Sequence, residues 1–403
     1  MRILFLSQLL PFPLDAGPKV RSYYVLRRLA AAGHEVTLLA FTRESDTRES
    51  LRHLESFCAA VHTVPMTRSR LRDVYHLGRS VLSRRPFLIA RDDVPAMRDK
   101  VRQLAAGGVD AIHADQLWMA PYALAGRAAA PGAPPRLVLD QHNAMALIPQ
   151  RLADSEVAGW RAAFWRREAA AMRRYEPATC LQFDHVVWVT DEDRAAVGLD
   201  AIAPTNGPRQ HTIPICIDPE AQPPVARAER PRRVTFLGGL HWPPNADGVR
   251  WFAREVWPLV VERTPDAVLT IIGKTPPADV RDAANLPGRT EITGYVADPM
   301  PYLRESAVFI VPLRAGGGMR VKILDAWRWG VPVVSTTIGA EGIDCRDGRD
   351  LLIADDAPAL ADAVVRLWDD PALAARLAAG GRTTILRAYD WRTIYRQWDE
   401  IYS

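Results

Sequence analysis

Two segments of similar kind, RILFLS at 2–7 and RRVTFLGG at 232–239, each run into a loop bearing glycine and proline and then into a helical stretch. From each start, short apolar runs recur with helical stretches of 3.6-residue apolar spacing between them. The first-half runs are 2–7, 35–41, 60–65, 111–114, 136–141, 186–190 and 212–215, and the second-half runs are 234–237, 267–272, 291–293, 308–312, 332–335 and 351–353. Strands this short, separated by helices, belong in a parallel sheet covered on both faces. The pattern occurs twice, which predicts an α/β chain of two Rossmann-like domains in tandem. Helices are expected at 20–32, 145–175, 319–329 and 391–402. The proline-rich, charged stretch 222–233 reads as an interdomain linker, with a surface loop as the alternative. Open sheets bind ligands at the carboxyl ends of their strands, so the site is expected in a cleft between the two sheets.

A 403-residue chain that is 48% hydrophobic and 24% charged can bury two cores, which excludes a disordered or collagenous chain. No apolar run approaches the roughly 18 residues of a membrane-spanning helix. The apolar start is interrupted by Gln8 and ended by Pro11 and Pro13, so it reads as a strand and not as a secretory signal. Cys58, Cys180, Cys216 and Cys345 are scattered without metal-ligand spacing, so neither a structural zinc nor a disulfide scaffold is expected, and the cytoplasm is the expected compartment. The net charge of +4 divides into +6 for residues 1–210 and −2 for the rest. The first half is therefore expected to meet something anionic, although the excess is too small for a nucleic-acid binder and no such motif is present.

The segment 308–335, VFIVPLRAGGGMRVKILDAWRWGVPVVS, carries the most chemistry. A buried-type strand enters Gly316, Gly317 and Gly318, and a helix follows from Met319. Glycines ahead of a helix let backbone amides approach an anion, and the helix N-terminus adds partial positive charge. Arg320 and Lys322 in the first turn oppose that dipole unless an anion compensates them. Asp325 stands further in, able to accept from ligand hydroxyls. The pattern suits a diphosphate carrying a sugar or ribose. Asp191-Glu192-Asp193 holds a DxD triplet, but Thr190 with Asp193 reads as a capping box that opens a helix. His113 and Asp115 end a first-half strand and are acceptor-site candidates. His241 and Trp242 could line the donor loop, with core packing of Trp242 as the alternative.

The segment 308–335 resembles the donor-binding signature of retaining GT-B glycosyltransferases of family 4, nearest to a polysaccharide-assembly sugar transferase subgroup with a GGxRxKILEA-type pattern followed by GxPVVST. The resemblance extends through PFPLDAG at 11–17, DQHN at 140–143, VTDEDR at 189–194, FLGGLHWPPNADGVRWF at 236–252, GYVADPMPYL at 294–303 and DWRTIY at 390–395. It implies a GT-B fold: an acceptor-side domain at 1–215, a nucleotide-sugar-binding domain at 216–385, and a terminal helix at 386–403 crossing back onto the first domain. Gly17 matches the loop glycine near the donor diphosphate, and His142 the histidine that touches the donor sugar. Gly238 and Gly239, together with Gly316, Gly317, Gly318 and Met319, line the donor site. Gly294, Tyr295 and Val296 match the loop that holds the nucleobase, and Asp325 stands in place of a ribose-binding glutamate. Two departures stand out. The first glutamate of the wider signature falls on Gly317, and the usual arginine and lysine after the second domain's first strand fall near Gly239 and Asn245. Arg320 and Lys322 are then the replacement cations.

The resemblance implies transfer of a hexosyl group with retention from a nucleoside-diphosphate sugar (UDP or GDP) to a glycan or lipid-linked acceptor, with no metal or other cofactor required. A nucleotide-sugar epimerase and a non-catalytic nucleotide-sugar-binding subunit are the alternatives. The stretch from Thr67 to Arg85 holds six arginines against one acid, interleaved with apolar residues. It is a candidate for peripheral contact with an anionic membrane, which would place the protein on the inner face of the plasma membrane.

Overall fold

A computed structural model describes the chain apart from residues 67–68, 156–158, 204, 230, 232, 278–279 and 281–287. Two compact units form: Met1–Ile217 together with Trp391–Ser403, and Asp218–Asp390. The breaks thus fall at 217/218 and 390/391, where 215/216 and 385/386 were expected.

In the first unit, seven strands form one parallel sheet: β1 (Arg2–Ser7), β2 (Glu35–Thr42), β3 (Ala60–Pro65), β4 (Ala111–Asp115), β5 (Arg136–Gln141), β6 (His185–Trp188) and β7 (Arg209–Thr212), in the order β3-β2-β1-β4-β5-β6-β7. β1, β2, β4, β5 and β6 are largely apolar and buried. The order reverses between β1 and β4, and this switch point opens a crevice at the carboxyl ends of the strands. In-register pairing sets Ser7 beside Asp115 and Asp115 beside Asp140. A row of polar groups thus crosses three central strands at that end.

The last strand departs from expectation. β7 is the polar edge strand RQHT, and the apolar run 213–217 lies beyond it, buried but outside the sheet. Pro214 has no amide to donate. The carbonyls of Ile213 and Pro214 instead accept from Arg21, at 2.7 and 3.1 Å. The single helix expected at 145–175 is two helices, Leu147–Ser155 and Trp160–Cys180. The terminal segment is a helical turn at Trp391–Ile394, a 3₁₀ turn at Tyr395–Gln397 and another helical turn at Trp398–Ile401. It packs on its own unit, with Trp398, Tyr395, Ile401 and Tyr402 buried.

The second unit repeats the plan with β8 (Arg233–Leu237), β9 (Val268–Ile272), β10 (Arg289–Gly294), β11 (Ser306–Val311), β12 (Val333–Ser335) and β13 (Leu352–Ile353), all parallel, in the order β10-β9-β8-β11-β12-β13. Here the switch lies between β8 and β11. The expected linker is a strap within this unit: the amides of Val225 and Ala228 donate to the carbonyls of Trp329 and Arg304, at 2.9 and 2.8 Å. Arg230 and Arg232 lie outside the described residues. Among the described residues, no helix is long and apolar enough to cross a membrane.

Candidate functional site

The switch point of the first unit gathers a buried group of charges. Arg21, from the helix Gly17–Ala31, grips Asp140 through Nε (2.8 Å) and Nη2 (2.6 Å), and both side chains are fully buried. Burial disfavours both charges, but the pairing prevails: Arg21 holds the Asp140 carboxyl well below the usual carboxylate range. Asp115 accepts from Ser7 Oγ (2.9 Å), Ser22 Oγ (2.8 Å) and His142 Nε2 (2.8 Å). Burial alone would neutralise His142, yet Asp115 and then Asp140 outweigh it and raise the imidazole to about 9. His142 is therefore a cation at neutral pH. Two carboxylates, one guanidinium and one imidazolium then sum to zero, which makes their burial tolerable. The Nδ1 of His142 has no hydrogen-bond partner. In the imidazolium that nitrogen carries a proton, so it is a buried donor without a hydrogen-bond partner.

His113 behaves differently. Burial outweighs Asp140 and Asp115 and lowers it to about 4, leaving it neutral. Its Nδ1 meets the hydroxyl of Tyr402 at 2.7 Å, and its ring stacks on Phe5 at 4.1 Å. His113 and Asp115 are both buried, and the Asp115 oxygens are occupied by Ser7, Ser22 and His142. His113, Asp115 and Asp140 have potential metal-ligand atoms within 4.8 Å of one another. Arg21 and His142 already supply the countercharge a metal ion would bring to that cluster.

The loop after β5 that carries His142 is held by acidic side chains. Glu176, buried in the helix Trp160–Cys180, accepts from the amides of Met145 (2.8 Å) and Ala146 (3.1 Å) and from Gln141 Nε2 (2.9 Å). Burial pushes its carboxyl up to about 8. Asp193 accepts from the Ala144 amide at 2.8 Å and from the Thr190 hydroxyl at 2.9 Å. The Asp193 amide donates to Thr190 Oγ1 (3.1 Å), which is the capping contact. Asp191 accepts from Thr212 Oγ1 (2.6 Å), so the two aspartates of the triplet serve different partners.

In the second unit, the loops after β8 and β11 meet at the switch. Lys322 reaches back from the helix Val321–Arg328, donates to Asn245 Oδ1 at 2.8 Å and lies over the Phe236 ring at 4.5 Å. A Cβ added at Gly238 would stand 2.7 Å from Lys322 Nζ. The ammonium therefore sits directly against the backbone that leaves β8. Asn245 Nδ2 also donates to the Gly239 carbonyl at 2.9 Å. Burial, with Arg320 nearby, lowers Lys322 to about 7. Arg320 Nη1 donates to the carbonyls of Gly317 (2.5 Å) and Gly318. These bonds draw the carbonyls of the glycine loop toward the guanidinium, and Gly316 and Gly318 adopt φ of +139° and +72°, which only glycine accepts readily. Met319 is buried beside them.

Asp325 is partly exposed and pairs with Arg328 at 2.9 Å, while burial raises its carboxyl. Gly294 ends β10 with a φ of +71°. Tyr295 is exposed, with Lys274 Nζ 4.3 Å from its ring centroid, and Val296 is half-buried. Gly17 opens the helix that carries Arg21. Trp242 is exposed and so takes no part in the core. Sequence reasoning missed Arg21, Asp140 and Glu176. One signal was available, because a carboxylate in the strand RLVLDQ of a sheet covered on both faces requires a buried cation or donor.

Comparison with known proteins agrees with this layout. The family model described as Glycosyltransferase Family 4 matches residues 17–221, and the one described as Glycosyl transferases group 1 matches 231–370. An uncharacterized 44.6 kDa protein in the cps region of Klebsiella pneumoniae is 22% identical, covering 98% of both chains. A phosphatidyl-myo-inositol mannosyltransferase of Mycobacterium leprae is 28% identical over 52% of this chain and 54% of its own. Among solved structures, sucrose-phosphate synthase from Thermosynechococcus elongatus superposes with a TM-score of 0.72 at 18% identity, covering 100% of this chain and 98% of the other. Anabaena HepE in complex with UDP and glucose gives 0.66 at 14%, covering 100% and 99%. Two parallel-sheet units of this topology are the GT-B fold, and with one family model spanning half of its residues this chain belongs to glycosyltransferase family 4.

Proposed function

We propose that this glycosyltransferase moves a hexosyl group from a nucleoside-diphosphate sugar, UDP- or GDP-linked, to a hydroxyl of a glycan or lipid-linked acceptor, with retention of configuration and without a catalytic metal ion. The second unit takes the donor and the first unit the acceptor. The observation that carries the reading is the seat of Lys322 Nζ against Gly238, at the strand ends where the glycine loop 316–318 also arrives. This ammonium stands beside the Gly239 and Asn245 positions that carry no cation of their own. As the bond from the anomeric carbon to the diphosphate breaks, charge grows on the leaving oxygens. Lys322, Arg320 and the loop amides stabilise it, the largest single term expected. The leaving diphosphate takes the proton of the acceptor hydroxyl on the same face of the sugar. His142 donates its unpartnered Nδ1–H to the donor sugar. Asp325 accepts from the ribose hydroxyls, and Gly294, Tyr295 and Val296 hold the base.

Three observations on relatives support the donor and acceptor classes: the HepE complex with UDP, the Mycobacterium leprae mannosyltransferase named for a phosphatidyl-inositol, and the Klebsiella protein of a cps region. Titration of UDP, GDP and uridine tests the cation seat. Lys322→Ala should weaken binding of the preferred diphosphate roughly ten- to a hundredfold and leave nucleoside binding unchanged. Gly238→Ala should act in the same direction, because its Cβ would stand 2.7 Å from Lys322 Nζ and crowd Asn245 Nδ2 at 3.1 Å and the Phe236 ring at 3.2 Å, and the flexible end of the lysine is displaced most. Diphosphate affinity unchanged in both variants overturns the assignment.

A further inference from the structure

The helix Arg70–Ser83 is packed with its amphipathicity inverted. The side chains it buries are polar: His76 and Ser80. The side chains it exposes are apolar: Leu71 at 84%, Val74 at 70%, Tyr75 at 61%, Val81 at 58% and Leu82 at 87%, with Leu77 at 37%. At 3.6 residues per turn, positions 71, 74, 75, 78, 81, 82 and 85 fall on one stripe. A helix of a water-soluble fold ordinarily turns such a stripe toward the core. Six of the fourteen large apolar side chains exposed among the described residues lie on this one helix, so the patch is a local feature.

The inverted packing is anchored. Ser69 caps the helix by accepting from the Arg72 amide at 3.3 Å, and Ser80 Oγ donates to the Arg85 carbonyl at 2.6 Å. Arg167 Nη2, from the helix Trp160–Cys180, donates to the Ser80 carbonyl at 2.7 Å. Trp160, 80% exposed, lies seven residues before Arg167 on the same face of that helix, about 10 Å along its axis. Charge surrounds the stripe with one sign. Arg72 and Arg79 flank it, Arg84 and Arg85 close its end, and Arg161 follows Trp160. The helix's one acid, Asp73, falls on the opposite side of the wheel. Thr67 and Arg68 lie outside the described residues.

We infer that this helix and Trp160 form a docking surface for an anionic lipid bilayer. Exposed leucines and valines enter the acyl boundary, Tyr75 and Trp160 sit at headgroup depth, and the arginines meet lipid phosphates. A second copy of the chain fits poorly, because two such faces would set arginine against arginine. The inference does not depend on the identity of the donor or acceptor.

The full-length protein should co-sediment with phosphatidylcholine vesicles that contain phosphatidylglycerol and much less with phosphatidylcholine alone. Replacing Arg72, Arg79, Arg84 and Arg85 together with Gln should weaken binding to the anionic vesicles by at least a hundredfold, at roughly fivefold for each arginine. Leu71→Ser with Leu82→Ser should abolish it without changing the thermal midpoint, since both side chains already face water. Brominated lipid should quench tryptophan emission in the wild type and quench less in Trp160→Phe. Equal binding to neutral and anionic vesicles, or binding that survives the double serine variant, overturns the inference. So does a concentration-dependent dimer that the serine variant dissolves in the absence of any vesicle binding.

Discussion

Asp115 and Asp140 stand side by side on β4 and β5, and each has a cation of its own: Arg21 for Asp140 and His142 for Asp115. That pairing makes the charge of His142 sensitive to pH. Its folded pKa, about 9, lies above the ordinary value of 6.5. The stabilisation from its charged form is therefore fully present below about 6.5 and is lost as pH rises through about 9. Asp115→Asn keeps a hydrogen bond but removes the charge. Urea denaturation should find this variant more destabilised at pH 6.5 than at pH 9.5, by roughly 1–3 kcal/mol. An equal loss at both pH values would mean that His142 is neutral in the fold. The candidate residues of the second unit could be named from the sequence because glycines, Arg320, Lys322 and Asp325 lie within one short segment. The partners in the first unit could not be, since Arg21 and Asp140 are 119 positions apart. No spacing rule connects a helix residue to a strand residue across that distance. His142 was named for its motif, while the acid that sets its charge was assigned to the acceptor and is buried.

At the scale of elements, the loop that carries His142 is ordered by acids from two helices. Glu176 accepts three hydrogen bonds with its two oxygens. A glutamine there can accept with one oxygen, and its NH₂ would face the amide of a neighbour. Above about pH 8, where the carboxyl is ionised, Glu176→Gln should therefore cost about 1–3 kcal/mol and loosen the loop. Turnover should fall while nucleotide affinity, which the proposed function assigns to the second unit, holds. A parallel loss of nucleotide binding would show that the loop is not the element affected. Strands were legible wherever they are central and apolar, as with FLS in β1 and FIV in β11. The edge strand β7 was not, because an edge is kept polar and offers no alternation to detect. The strap at 222–228 was read as a linker because proline and charge describe a surface path. Its hydrogen bonds to Trp329 and Arg304 are long-range contacts that composition does not encode.

On the scale of the whole molecule, the chain leaves its first unit at Ile217 and returns to it at Trp391, so the first fold is completed by its last thirteen residues. The returning segment touches the charged cluster directly. Tyr402 hydrogen-bonds His113 at 2.7 Å, Trp398 lies 5.5 Å from the Arg21 guanidinium, and the Tyr395 hydroxyl accepts from the Cys216 amide at 3.1 Å. Arg28 also pairs with Asp399. The aromatic stripe was legible as a surface that needs a partner, and the residues it covers were not. Burying one large apolar side chain contributes about 1.5–3 kcal/mol. Trp391, Tyr395, Trp398, Ile401 and Tyr402 are all buried. Together they rival the whole stability of a domain, about 5–15 kcal/mol. Removing residues 391–403 should therefore leave the first unit unfolded and open to protease, while 218–390 stays protected. Tyr402→Phe, which loses one hydrogen bond and keeps the ring, should cost only about 1 kcal/mol. Limited proteolysis with mass identification of the fragments separates the outcomes. A truncated chain whose first unit resists protease would mean that the segment covers a core already complete without it.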